Sequence, residues 1–235
     1  MFSILIKKAI VSALTHPWFS KFFLSAALKI HNLSYKIAGM LSSYQEHDGL
    51  HPKHRLLRYH DWFASRLKKE WDVLDIGCGH GALAYDMKSV CRSITGIDIN
   101  RDNIDRAKVE FYSSAITYIC ADALEYDFKT GFHAVVLSNV LEHIDKRVEF
   151  LKKLYANQNQ GSPPVLLLRV PMITRDWITL YKKEIGVEWR LDKTHFTEYT
   201  LEQVFDEMNQ AGLVVESYDV QFGEFYGVIK KNESS

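Results

Sequence analysis

From residue 73 onward, short apolar runs of β character alternate with helical segments, and this alternation constrains the fold more than any other feature of the chain. The run 73–76 leads into a helix from about residue 82, and 93–97 leads into 101–112. After 116–120 comes 134–137, followed by a helix ending near 155, and then 165–170. Strands separated by crossover helices pair in parallel and need cover on both faces. Two final runs, 214–222 and 225–230, meet at Gly223-Glu224 and read as a hairpin, so the edge of the sheet is antiparallel. An α/β fold is therefore expected. At 235 residues, one such domain with an appended helical piece fits the length better than two full domains.

The first 69 residues lack the alternation. Over 2–15, Ser3, Lys7, Lys8, Ser12 and Thr15 fall on one half of a helical wheel, with Leu5, Ile6, Ala9, Ile10 and Ala13 on the other. His16-Pro17 interrupts that helix, and a second is expected over 19–40, with Phe22, Phe23, Ala26, Ala27 and Ile30 at helical spacing. Residues 41–52 read as a loop. A third helix is expected over 54–69, with Leu56, Leu57, Trp62, Phe63 and Leu67 inward, and 157–164 reads as a polar linker loop.

Charge is balanced overall, at 29 basic against 29 acidic residues, which speaks against a nucleic-acid partner. The balance is uneven. Residues 1–45 hold Lys7, Lys8, Lys21, Lys29 and Lys36 and no acid, leaving 24 basic against 29 acidic residues in the remainder. Two readings stay open for residues 1–40: helices packed on the main domain, or peripheral contact with an anionic membrane through the lysines and the Trp18, Phe19, Phe22, Phe23 cluster. Cys78, Cys91 and Cys120 are odd in number and widely spaced, as expected of a reducing, cytoplasmic setting. The apolar run 9–14 is too short and lacks the cleavage site of a signal peptide, and no apolar stretch is long enough to span a bilayer.

The first strand ends in Asp75-Ile76-Gly77-Cys78-Gly79-His80-Gly81-Ala82. Alternate glycines let the backbone turn sharply into a helix and let a ligand approach closely. Gly77-x-Gly79-x-x-Ala82, with Asp98 about 20 residues on, also satisfies a dinucleotide fingerprint. Asp75 separates the readings, because a carboxylate beside a pyrophosphate is repulsive and one beside an ammonium or sulfonium is attractive. A ligand with a cationic amino-acid end and an adenosine end is S-adenosylmethionine. Asp98 ends the second strand beside Ile99, where it can accept ribose hydroxyls. Asp122-Ala123 follows the third, where a carboxylate or an amide can meet adenine.

The series Leu74-Asp75-Ile76-Gly77-Cys78-Gly79-His80-Gly81, Gly96-Ile97-Asp98, Ala121-Asp122-Ala123 and Ser138-Asn139-Val140-Leu141-Glu142-His143 resembles the consecutive motifs of class I S-adenosylmethionine-dependent methyltransferases over about residues 70–230. The resemblance implies a Rossmann-like, seven-stranded, mostly parallel sheet with an antiparallel last strand. It divides the chain into N-terminal amphipathic and capping helices (1–69) and a methyltransferase domain (70–235). It assigns Asp75, Gly77 and Gly79 to the methionine end of the cofactor, Asp98 with Ile99 to the ribose, and Asp122 with Ala123 to the adenine, with Asn139 also at the cofactor. The segment 49–60 resembles the pre-domain helix of surface-polysaccharide methyltransferases, in which an arginine reaches the cofactor carboxylate; here that arginine is Arg55.

Methyl transfer to a hydroxyl needs an aligned nucleophile and a proton acceptor. His143, beside Glu142 at the end of the fourth strand, has an imidazole suited to that work near neutral pH. His195 sits in a His-x-Phe turn that faces the pocket in related methyltransferases, just before a helix capped by Thr200 with Gln203 three residues on. Ubiquinone O-methyltransferases and small-RNA 3′-end 2′-O-methyltransferases carry Glu-x-x-Glu-His at the fourth strand and bind a divalent ion there. In this chain the first Glu is Asn139, and no metal is expected. Between the fifth strand and His195, Trp177, Trp189, Arg175 and Arg190 are candidates for substrate contact.

The expectation is a methyltransferase acting on an oxygen of a small, glycan-linked or lipid-linked substrate, with His143, His195 and Glu142 at the chemistry. A quinone, a phenol or RNA as acceptor, and a catalytically inactive cofactor-binding module, are the alternatives. Localisation is expected to be cytoplasmic, with membrane association through residues 1–40.

Overall fold

The computed structural model describes residues 16–46, 51–128, 131–156 and 163–232, with isolated helical positions between 4 and 12. The expected helix over 2–15 and the polar run 157–164 lie largely outside the described residues. In chain order the elements are α1 (Pro17–Ser43), α2 (Lys53–Leu57), α3 (Tyr59–Ala64), β1 (Asp72–Ile76), α4 (Ala82–Met87), β2 (Ser93–Asp98), α5 (Arg101–Glu110) and β3 (Ile116–Cys120). There follow β4 (Ala134–Ser138), α6 (Arg147–Ala156), β5 (Val165–Pro171), α7 (Trp177–Glu184), α8 (Leu201–Gln210), β6 (Leu213–Gln221) and β7 (Glu224–Lys231).

The strands form one seven-stranded sheet in the order β3-β2-β1-β4-β5-β7-β6. The first five are parallel neighbours, and β7 runs antiparallel to both β5 and β6. Gly223, at φ 76°, makes the hairpin that sends β7 back between them. Alternation along the strands divides the core: Leu74, Val135, Leu137, Leu166 and Leu168 meet Leu151 and Leu154 of α6 and Val204 and Met208 of α8 on one face. Val73, Ala134, Val136 and Leu167 meet Phe63 of α3, Met87 of α4 and Ile104 of α5 on the other. Burial on both faces is why these strands read as unbroken apolar runs.

Two expected helices differ. The helix over 54–69 is broken at Arg58, whose φ of 50° and ψ of 35° leave the right-handed region, and α3 ends at Ala64. The break turns Tyr59 and Phe63 into the core and leaves Leu56 exposed, contrary to its expected inward place. After β4, Asn139 is left-handed (φ 56°), and a single 3₁₀ turn, Leu141–His143, precedes α6 where one continuous helix is expected. The Phe196 amide, donating to the Glu142 carbonyl at 2.8 Å, holds this turn.

Two compact units make up the chain: residues 1–56 with 177–189, and residues 57–176 with 190–235. Relative to the expected division at 69/70, the larger unit includes 57–69, while 177–189 belongs to the smaller. Within the smaller unit, the buried Lys182 ammonium of α7 donates to Asn32 Oδ1 at 2.6 Å and lies 3.1 Å from His31 Nδ1. Asn32 Nδ2 in turn donates to the Glu188 carbonyl at 2.8 Å. These bonds fasten α1 to the segment that follows β5.

Candidate active site

The parallel strands end at one edge of the sheet, where the glycine turn leaves β1. The Gly77 and Cys78 amides both donate to the Ile97 carbonyl, at 2.8 and 3.0 Å, and the Gly79 amide donates to Asp98 Oδ2 at 2.9 Å. The two glycines are required for different reasons. At Gly77 (φ 69°) a Cβ would lie 2.4 Å from Val140 Cγ2, whereas at Gly79 (φ 55°) it would meet nothing within 4 Å. The turn is thus closed against Val140, just beyond β4, on one side and open on the other, which leaves room for the close approach of a ligand.

Asp75 is buried, with Oδ2 unpartnered, and its carboxyl is pushed up to about 8 by desolvation first and by the Asp98 carboxylate second. A buried, partnerless carboxyl next to a second carboxylate is a site for a cation. Asp98 is already engaged: besides Gly79, the Asn100 amide donates to Oδ1 at 2.8 Å, as does Asn103 Nδ2 at 3.3 Å. Its free acceptor capacity for a ribose hydroxyl lies at Oδ2. The Ala121 amide donates to the Asp98 carbonyl, tying the ends of β2 and β3, and Asp122 Oδ1 caps its own turn by accepting from the Leu124 amide at 2.8 Å. Ala123 is half-buried and Ile99 is exposed. Asn139, donating its amide to the Arg169 carbonyl, keeps a buried, unpartnered Oδ1. The unpartnered Asp75 and Asn139 oxygens, the open face over Gly79 and the Asp98 carboxylate form an acceptor set that fits S-adenosylmethionine. Arg55, expected at the cofactor carboxylate, lies in the smaller unit, with its guanidinium on Glu46 (Nη2 to Oε1, 2.8 Å).

Glu142, His143 and His195 come together, each offering a ligand atom within 4.8 Å of the others, and the two imidazoles cross edge to face at 4.6 Å. Glu142 is fully buried with neither oxygen partnered, and desolvation pushes its carboxyl up to about 8. His195 is buried, its Nδ1 3.1 Å from Glu198 Oε1. Desolvation raises the Glu198 carboxyl, but hydrogen bonds from His195, the Leu191 amide and Arg175 bring it below its usual range. Arg175 is therefore spent on Glu198, and Arg190 donates to the His195 carbonyl at 3.1 Å. Both arginines, expected to meet substrate, instead shape the turn. Trp177 is exposed, and the Trp189 ring lies under the Lys183 ammonium at 4.9 Å.

Two residues that pattern reading passes over decide what His143 does. Thr194 Oγ1 lies 2.8 Å from Asp192 Oδ1 and 2.9 Å from His143 Nδ1. The hydroxyl has one proton, and the Asp192 carboxylate, held below its usual range chiefly by Thr194, can only accept. The Thr194 proton therefore goes to Asp192, the His143 Nδ1–H donates to Thr194, and His143 Nε2 keeps its lone pair. Desolvation, with His195 alongside, lowers the His143 imidazole below its ordinary value, so it is neutral at physiological pH. Behind it, buried Arg169 bonds Glu224 and Ser138 and lies 3.9 Å over the Tyr59 ring, a network spread over β4, β5 and β7.

Residues 73–161 match the family described as Methyltransferase domain. A ubiquinone biosynthesis O-methyltransferase of Bradyrhizobium diazoefficiens is 31% identical over 121 residues, covering 51% of this chain and 46% of the relative, so the chain spans about half of that protein. Among solved structures, the small RNA methyltransferase HEN1 superposes with a TM-score of 0.60 at 18% identity, covering 77% of this chain and 26% of that one. Magnesium protoporphyrin IX methyltransferase from Synechocystis, with S-adenosylhomocysteine bound, superposes at 0.55 and 16% identity, covering 75% and 81%. Residues 73–161 thus carry a methyltransferase domain, and the strand order and glycine turn around them are of the class I S-adenosylmethionine-dependent kind.

Proposed function

We propose that the protein transfers a methyl group from S-adenosylmethionine to a hydroxyl of a small, lipid-linked or glycan-linked acceptor, with His143 as the proton acceptor. The observation that carries this reading is the Asp192–Thr194–His143 chain, which leaves Nε2 free and basic at the end of β4. S-adenosylmethionine, when bound, supplies a methyl group on a sulfonium sulfur. Asp75 would pair the amino group of the methionine end, and Asp98 would accept a hydrogen bond from a ribose hydroxyl. His143 Nε2 takes the acceptor's hydroxyl proton as the new C–O bond forms and the C–S bond breaks, and Thr194 with Asp192 steadies the resulting imidazolium. Relatives named ubiquinone biosynthesis O-methyltransferases support oxygen as the acceptor atom and favour an acceptor of the quinone or phenol class. A membrane contact through residues 1–40 suits such an acceptor.

The test is transfer of radiolabelled methyl to host extracts separated into lipid, polysaccharide and RNA fractions. Label in lipid, lost with His143→Ala while S-adenosylhomocysteine still binds, is expected; label in no fraction overturns the reading. A second reading rests on the unpartnered Glu142: with His143 and His195 it offers one carboxylate and two imidazoles to a divalent ion. Activity abolished by a chelator and restored by magnesium or zinc would transfer the acceptor-activating role to that ion.

A further inference from the structure

α1 turns an apolar stripe to solvent. At 3.6 residues per turn, Phe19, Phe22, Ile30, Leu33, Ile37 and Met40 fall within roughly 80° of arc. Each is between 42 and 69% exposed. The opposite side carries buried Leu28, and Asn32 there is bonded to Glu188. An ordinary surface helix reverses this arrangement, burying its apolar stripe. Lys29 and Lys36 border the stripe, and residues 1–45 contain no acid. The helix is 27 residues long and the stripe, from Phe19 to Met40, extends about 32 Å, yet no helix among the described residues is long and apolar enough to cross a membrane.

We infer that this stripe is a docking surface for the headgroup–acyl boundary of an anionic bilayer, with α1 lying in the membrane plane. Aromatic and long aliphatic side chains enter the acyl boundary while Lys29 and Lys36 meet anionic headgroups at the rim. A second copy of the helix would bring lysines against lysines with no acid to offset them, which is why the observations favour a lipid surface. The inference deepens the membrane contact proposed above, and it does not depend on methyl transfer. Because Lys182 and Asn32 fasten α1 to 177–189, docking fixes the segment after β5 at the bilayer as well.

The test uses the full chain and vesicles of phosphatidylcholine with about one third phosphatidylglycerol at low salt, where screening is weak. Co-sedimentation is expected, reduced at least tenfold by Ile30→Asp with Ile37→Asp and by Lys29→Glu with Lys36→Glu. All four positions are exposed, so circular dichroism and S-adenosylhomocysteine affinity should match the parent chain. Loss of cofactor affinity in the parent chain would count against the methyltransferase reading alone. No sedimentation of the parent chain, equal sedimentation with pure phosphatidylcholine, or a dimer broken by the aspartates without vesicle binding would each overturn the inference.

Discussion

Asp75 links the fold to the cofactor through a proton that can be counted. With its carboxyl near 8, the cofactor-free protein keeps this group protonated at neutral pH. Only about one molecule in eleven is ionised at pH 7, and about half at pH 8. A cationic amino group draws on the ionised form, so binding expels a proton. If that form alone binds, affinity for S-adenosylhomocysteine rises roughly fivefold between pH 7 and 8 and levels off above. Stability of the free protein has the matching sign. The folded carboxyl holds its proton more tightly than the unfolded one, so this group favours the native state at low pH and loses that advantage as pH rises from about 4 through about 8. Asp75→Asn removes both effects: affinity falls and its pH slope disappears. Isothermal titration in two buffers of different ionisation enthalpy, from about pH 6.5 to 8.5, measures the released proton directly. No proton release from the parent chain, or the same slope in Asp75→Asn, would refute the reasoning.

The glycine turn separates clash from conformation. Gly77→Ala should abolish cofactor binding and destabilise the fold by at least about 2 kcal/mol, while Gly79→Ala should cost about 1 kcal/mol through its positive φ alone; thermal melts with and without S-adenosylhomocysteine distinguish them. Thr194→Val and Asp192→Asn should lower kcat by roughly tenfold to a hundredfold and move the acid limb of its pH profile, with cofactor affinity unchanged; an unaltered profile excludes the relay. Arg169→Leu leaves Glu224 buried without its cation and should cost about 3 to 5 kcal/mol by denaturant unfolding, more than Arg169→Leu combined with Glu224→Leu.

Features legible in the sequence are those written locally. The central strands β1, β4 and β5 are buried on both faces and therefore mostly apolar, and the turn after β1 needs its glycines wherever the rest of the chain goes. Asp75, Asp98 and Asp122 could be picked out because each lies at or just beyond the end of its own strand. The break at Arg58 was not legible, since arginine is not a residue that announces a left-handed backbone, and 54–69 has helical apolar spacing up to that point. Nor was the engagement of Arg175, which depends on Glu198 arriving from 23 residues away. The His143 tautomer required the Thr194 hydroxyl to be seen between the Asp192 carboxylate and the His143 ring, and Arg169, Glu224 and Ser138 are neighbours only after three strands pair. The apolar stripe of α1 is periodic in the sequence, but periodicity says nothing about which way it faces.

The bond between Lys182 and Asn32 joins residues 150 positions apart, and this has a consequence for how the chain is made. At ribosomal rates of about 5 to 20 residues per second, α1 is complete roughly 8 to 30 s before its partner segment exists. Through that interval the helix has its lysines and its apolar stripe but not the 177–189 segment it will pack with. The packing of α1 on 177–189 is therefore set only after β1 to β5 have been made, so the two halves of the smaller unit come together late in synthesis.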